Sequence, residues 1–301
     1  MILPSVAISS SAGLCFQKTI KVAIIRQHWD IIDQSSFSRF STLVHRHRLN
    51  QAEKKFDVKI EFFEFWDDWL GGDIQDGMLK KLDIDVIVAP GGVGGWYSPK
   101  QYRRIIKKFV WDGGGFYGIC GDATFGSLGI ENLDSKYISL MRRMLGYEEF
   151  SPMLGLANVY TDATVFNRIL GNPVFFTKIN MYRLLSQLPL SRAPIYFEKS
   201  NLHIQEPYMG KSLQVMMGSA PLIDGPFIYR LFMPKVYTIA TYKGYDKPYD
   251  RSIRGEKAII ATTYGKGRVI LSPVHTELTI GNRQVNDVYM RNVLWLGDCL
   301  T

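Results

Sequence analysis

Residues 85–127 limit what this chain can fold into more than any other stretch, because they set two apolar strands and a helix between glycine corners. Residues 85–90 (DVIVAP) form an apolar run that ends on Gly91 and Gly92, as a central strand of a parallel sheet does. Over residues 99–111 the spacing predicts a helix. Tyr102, Ile105, Ile106, Phe109 and Val110 fall on one side of it, Arg103, Arg104, Lys107 and Lys108 on the other. The glycines at 113–115 stop that helix, since glycine accepts the left-handed conformation a helix end requires. Residues 116–119 read as a second short strand, and Cys120 falls where its carboxyl end meets Gly121, Asp122 and Ala123. Sites in open α/β sheets lie at that edge, so chemistry is expected there.

The flanking pattern completes a doubly wound, parallel α/β sheet. Residues 19–26 (TIKVAIIR) are an apolar strand and 35–55 a helix; 56–65 alternate Val58, Ile60 and Phe62 against Lys59 and Glu61, as a strand with one wetter face does. His45 and His47 stand two apart on that helix, face different directions and cannot share a metal; both are read as surface residues. A loop or short helix over 71–82 leads into the central stretch, and the strand–helix alternation then defines the fold class. A further helix is expected over 134–145. Residues 146–235, rich in aromatics and broken by prolines, are expected to elaborate the domain with short strands and loops that pack on the sheet and roof the site. Strands at 236–242 and 257–264, a Gly-Lys-Gly turn, a returning hairpin strand at 268–272 and a helix at 284–296 close the chain. The expected organisation is one domain over residues 19–301 behind a loose extension of residues 1–18.

Composition removes several classes of function. Of 301 residues 46% are apolar and 21% charged, the balance of an ordinary globular protein. No apolar run approaches the ~20 residues that span a bilayer, so no membrane partner is expected. The first 18 residues lack the basic start and unbroken apolar core of a secretion signal. Cys15, Cys120 and Cys299 are odd in number, with two near the ends, and make no disulfide framework; a reducing, cytoplasmic setting is the expectation. The net charge of +8 raises nucleic acid as a partner, but the densest basic group is one face of the 99–111 helix, which reads as a solvated surface. There is no His-Glu-x-x-His and no paired Cys-x-x-Cys, so no metal is expected. The glycines of residues 91–95 precede no Lys-Ser/Thr and lack the dinucleotide spacing, so no cofactor is expected either.

What remains is a nucleophile and its partners. A thiol attacks as thiolate, and a strand-to-helix corner exposes it. A histidine must hold the proton and a carboxylate must orient the histidine. His275 and Glu277 follow the last strand two residues apart, so in extended chain they point to one side. Two backbone N–H groups should face the developing oxyanion; Gly92, in the Gly91-Gly92 loop, and Gly121 are the candidates.

These residues carry a resemblance. VAPGGVGGWY, WDGGGFYGICGDA, APLIDGPF and YGKGRVILSPVHTE, in that order and spacing, resemble the class I glutamine-amidotransferase-like superfamily. Within it they resemble the domain named for the N-terminus of biotin–protein ligase, from about residue 20 to the end. The resemblance implies a flavodoxin-like sheet, Cys120 as nucleophile, His275 as its base and Glu277 as orienting acid, with the glycine loop and Gly121 as oxyanion hole. Ligase function does not carry over, because the ligase catalytic domain and its glycine-arginine motif are absent. Three positions depart from the pattern. Asp122 stands where the corner usually has glycine, near enough to raise the thiol or to meet a cationic substrate beside Gly91. Thr124 stands where glutamine-using relatives have glutamine, which argues against glutamine as substrate. Thr276 replaces the proline of His-Pro-Glu and leaves both functional side chains in place. The expected function is amide C–N cleavage on a small-molecule or peptide substrate through a thioester. The alternative is an inactive relative kept as a binding or assembly module, and self-association is open in either case.

Overall fold

The structure, a computed structural model, describes residues 18–30, 32–92, 94–131, 153–162, 190–218, 221–226, 233–244 and 252–300. The expected 134–145 helix, nearly all of the N-terminal extension and many aromatics of residues 146–235 lie outside the described residues.

The strands β1 (Thr19–Gln27), β2 (Lys59–Asp67), β3 (Val86–Ala89) and β4 (Gly115–Ile119) form a parallel sheet in the order β2-β1-β3-β4. That reversal of direction after β1 is the doubly wound arrangement anticipated from the strand–helix alternation. Every residue of β3 and β4 is buried, which is why both read as unbroken apolar runs rather than alternating ones. Helix α1 (Ser36–Phe56) covers one face, with a four-residue α2 (Met78–Lys81) and α3 (Lys100–Asp112) on the other. Arg103 does not join the outer basic face expected of α3. It is buried and folds back so that Nη1 donates to the Ser98 carbonyl at 2.5 Å.

Past the corner lie α4 (Gly121–Gly126), β5 (Gly129–Glu131), β6 (Tyr160–Asp162), β7 (Leu190–Phe197), β8 (Ser212–Gly218), β9 (Leu222–Asp224), β10 (Tyr237–Tyr242), β11 (Lys257–Tyr264), β12 (Gly267–Ser272) and α5 (Arg283–Leu296). β12 pairs in parallel with β4, and the β11–β12 hairpin turns where expected. The sheet then continues antiparallel through β11, β10, β7 and β8. β7 and β8, in the segment expected only to roof the site, therefore extend the sheet itself. β8 is the last strand of that path, yet Met216 bridges His275 just beyond β12, so this end curls back over the rim. No helix among the described residues is long and apolar enough to cross a membrane.

Candidate active site

The carboxyl ends of β1, β3, β4 and β12 share one edge, and the sequence-derived site residues gather there. Cys120 is the single residue between β4 and α4, at φ 52° and ψ −123°. A side-chain-bearing residue at positive φ is strained by ~1–3 kcal/mol, and such strain collects at functional corners. The corner is tied down: Cys120 N–H donates to the Ser272 carbonyl at 2.9 Å, joining the end of β4 to that of β12. Trp96 Nε1 donates to the Gly121 carbonyl at 2.8 Å.

His275 and Glu277 arrive from the other side of that join. His275 Nδ1 lies 2.6 Å from Oε1 of the fully buried Glu277. A β-carbon built on Gly91 would sit 2.9 Å from the Cys120 Cβ and 3.7 Å from the His275 Cε1, so thiol and imidazole meet across the Gly91 backbone. With Nδ1 given to Glu277, Nε2 is the ring nitrogen left to serve the sulfur. Burial pulls the imidazolium down, but the Cys120 sulfur and the Glu277 carboxylate outweigh it and hold His275 well above the ordinary histidine range. Burial pushes Glu277 up, and His275 with its hydrogen bond more than reverses this, leaving the carboxyl below its usual range. Both directions favour the charged pair. The His275 backbone is pinned as well: its N–H donates to the Met216 carbonyl, and Thr279 Oγ1 donates to its carbonyl while accepting from Met216 N–H.

The glycine loop lies against the corner from the β3 side. Gly91 N–H donates to Asp122 Oδ2 at 3.0 Å and Gly94 N–H to Asp30 Oδ2 at 2.6 Å. The N–H groups of Gly92 and Gly121 are bonded to no group among the described residues. Asp122 is buried, and its Oδ1 has no partner. Burial, then the charge of Asp33, pushes its carboxyl well above the usual carboxylate range and so favours the neutral acid. Thr124 is buried too, accepting from Thr161 Oγ1 at 2.8 Å.

The raised Asp122 value has a measurable consequence. A group whose folded value exceeds its unfolded one adds stability below the unfolded value and loses it as pH rises through the folded one. Asp122→Asn keeps an acceptor for Gly91 and cannot ionise. Thermal melts from pH 5 to 9 are expected to show the variant gaining on the wild type as pH rises, by a few degrees. A constant or shrinking difference would mean that Asp122 is ionised in the fold.

Several residues around the site were not found by sequence reasoning. His45 is fully buried, not a surface residue, whereas His47 is exposed. The inward stripe of α1 runs through Ser38, Thr42, His45, Leu49, Ala52 and Phe56, and the four-residue step from Leu49 back to His45 was the available signal. Arg48 is largely buried and donates from Nε to the Glu277 carbonyl at 3.1 Å. Arg26 and Asp33 form a buried ion pair of 2.8 Å between the end of β1 and α1. Burial and the neighbouring Asp30 lift the Asp33 carboxyl to about 7 against the opposing pull of Arg26. Tyr242 ends β10 on the same apolar face as Cys120, and its buried hydroxyl has no partner.

The site is narrow. Cys120 is 8% exposed and His275 7%, and the Gly218 carbonyl of β8 stands 3.9 Å from the sulfur. Among the described residues no group of His, Cys, Asp or Glu is arranged to hold a metal ion.

The sheet order and the corner define the class: an α/β protein with a flavodoxin-like sheet flanked by helices, parallel from β2 to β12 and antiparallel from there to β8. No protein-family model matches the chain, and no curated protein matches it. Similar solved structures include PurLQS from Thermotoga maritima, at 12% identity over 92% of this chain and 99% of that one, TM-score 0.48. The CTPS glutaminase domain of Trypanosoma brucei with bound acivicin is 12% identical over 93% and 94%, TM-score 0.49. The β-galactosidase of Rahnella sp. R3 is 13% identical over 93% of this chain and 31% of that one, TM-score 0.49. The first two have class I glutamine-amidotransferase folds. At these identities and TM-scores the likenesses carry no argument about chemistry.

Proposed function

We propose that the chain is a cysteine-dependent, amidotransferase-like hydrolase that cleaves an amide C–N bond. The observation that carries this reading is the meeting of a strained-corner thiol with a buried His275–Glu277 pair at one sheet edge. The Cys120 sulfur adds to the carbonyl carbon, and the unspent N–H groups of Gly92 and Gly121 receive the oxyanion. As the C–N bond breaks, His275 gives its Nε2 proton to the leaving nitrogen. Water, deprotonated by the same nitrogen, then attacks the thioester; the acid leaves and the sulfur returns to its pair with His275. The resemblance to the domain named for the N-terminus of biotin–protein ligase supports the same roles. Thr124, turned to Thr161 inside the fold, supports a substrate other than glutamine. The narrow opening favours a small molecule or a slender peptide end. Asp122, on this reading, holds the Gly91 backbone in place.

A second reading, a binding module that has lost catalysis, draws on the Gly218 carbonyl seated over the sulfur. Labelling of the native protein with iodoacetamide at pH 6.5, followed by peptide mass spectrometry, separates the two. The enzyme reading expects fast labelling of Cys120 and none of the buried Cys299. Equal inertness of both cysteines until the protein is denatured would leave the binding module standing.

A further inference from the structure

Helix α1 brings a second histidine to Glu277. His45 Nδ1 stands 2.7 Å from the Tyr289 hydroxyl of α5, in a fully buried setting. One turn along α1, Arg48 Nε donates to the Glu277 backbone carbonyl; residues 45 and 48 share a helix face, and the charges of His45 and Glu277 act on each other. Two buried atoms there have no hydrogen-bond partner: Nε2 of His45 and Oε2 of Glu277. Their chemistry is complementary. A neutral imidazole beside a carboxylate carries its proton on the nitrogen facing the negative charge, which leaves Nδ1 to accept from Tyr289. An acceptor lone pair aimed at the carboxylate would repel it, and a buried carboxylate oxygen without a donor is costly.

We infer that His45 is a positioning residue of this site. As a neutral imidazole with its proton on Nε2, it sets the positive side of its ring against the charge of Glu277, with no hydrogen bond closed between them in this structure, and so steadies the carboxylate that orients His275. The inference rests on reading Cys120, His275 and Glu277 as a catalytic triad. Burial pulls His45 down to about 4; the Glu277 charge opposes this, and Arg26, His275 and Arg48 add to it. Tyr289, the remaining titratable group against the ring, is itself pushed well above the ordinary tyrosine range, chiefly by burial, and stays neutral. His45 therefore keeps one protonation state across the range in which enzymes work, which suits an anchor and not a shuttle.

The test follows the rate of Cys120 labelling by iodoacetamide from pH 5 to 9 in the full chain. His45→Phe fills the space without a donor; His45→Gln keeps one. The Phe variant is expected to move the midpoint of the rate profile up by about one pH unit, a tenfold change in the balance of charged and neutral pairs. The Gln variant is expected to recover most of that shift. A Phe profile equal to wild type, or a Gln profile as displaced as Phe, overturns the inference. Should His45→Phe fail to fold, ring-nitrogen NMR of the wild type decides: a neutral ring protonated at Nε2 from pH 5 to 9 is expected, and a proton on Nδ1 or a titration near 6.5 overturns it. If the wild-type profile already matches that of His275→Gln, the triad reading falls and takes the inference with it. If those two differ and only His45→Phe matches wild type, the triad reading survives alone.

Discussion

In His275→Gln, labelling of Cys120 by iodoacetamide at pH 6 is expected to fall about tenfold or more below wild type, the gap closing toward pH 9. Removing the imidazolium removes the cation that would hold a thiolate beside it, and a free thiol is only about 0.3% thiolate at pH 6. Each freed thiolate is a better nucleophile, and a Brønsted slope of ~0.4–0.5 returns part of the loss. The population term is the larger, so the net effect at low pH is a loss. The same coupling can be read from the imidazole. The Cys120 sulfur leads the influences that raise His275, so in Cys120→Ala the ring is expected to give up its proton at lower pH than in wild type, by NMR titration. The sign for stability follows. A histidine raised in the fold contributes fully below its unfolded value and loses that contribution as pH climbs through the folded one, whereas the lowered Glu277 contributes above its unfolded value and loses it on acidification. The pair therefore stabilises the fold most across the middle of the pH range. Parallel labelling profiles for wild type and His275→Gln would show that the ring does nothing for the sulfur.

Gly121→Ala is expected to cost about 3 kcal/mol, the upper part of the range for overpacking, and to lower the melting temperature by about 5 °C. A β-carbon there would lie 1.8 Å from the Gly92 carbonyl oxygen, a backbone atom that no rotamer change can move aside. Relief requires the glycine loop to withdraw from the corner. That strains the Trp96–Gly121 and Asp122–Gly91 hydrogen bonds, which hold the two together, and the Asp30–Gly94 bond, which ties the loop to the end of β1. Because the loop also carries the Gly92 N–H, turnover of any amide substrate should fall further than stability alone explains. Thermal unfolding within a degree of wild type would show that the loop gives way freely.

Much of this was legible from local pattern. β3 and β4 are buried on both faces, so their apolar runs could be read directly, and the glycines that end them marked the corner around Cys120. His275 and Glu277 were found because extended chain puts residues two apart on one side, and they do touch. His45 was missed because its stripe on α1 is polar toward the N-terminal half; a histidine, a threonine and a serine there give no hydrophobic period to detect. Asp122 was expected to act on the thiol or a substrate through charge. Its carboxyl is raised first by burial and then by Asp33 and Asp30, brought up from the end of β1, far off in sequence, while its Oδ2 accepts from Gly91.

The residue pattern by itself determined strands β1–β4 and β10–β12, the α/β class, the corner that bears Cys120 and the His-x-Glu pair, since each depends on side-chain spacing along a single element. Tertiary structure alone decided that β8 closes over the sulfur, that Arg48 and His45 stand behind Glu277, and which glycine N–H groups are already spent. Those are contacts between segments scores to hundreds of residues apart, selected by how the sheet curls and which faces pack. Periodicity within a segment carries no record of that choice.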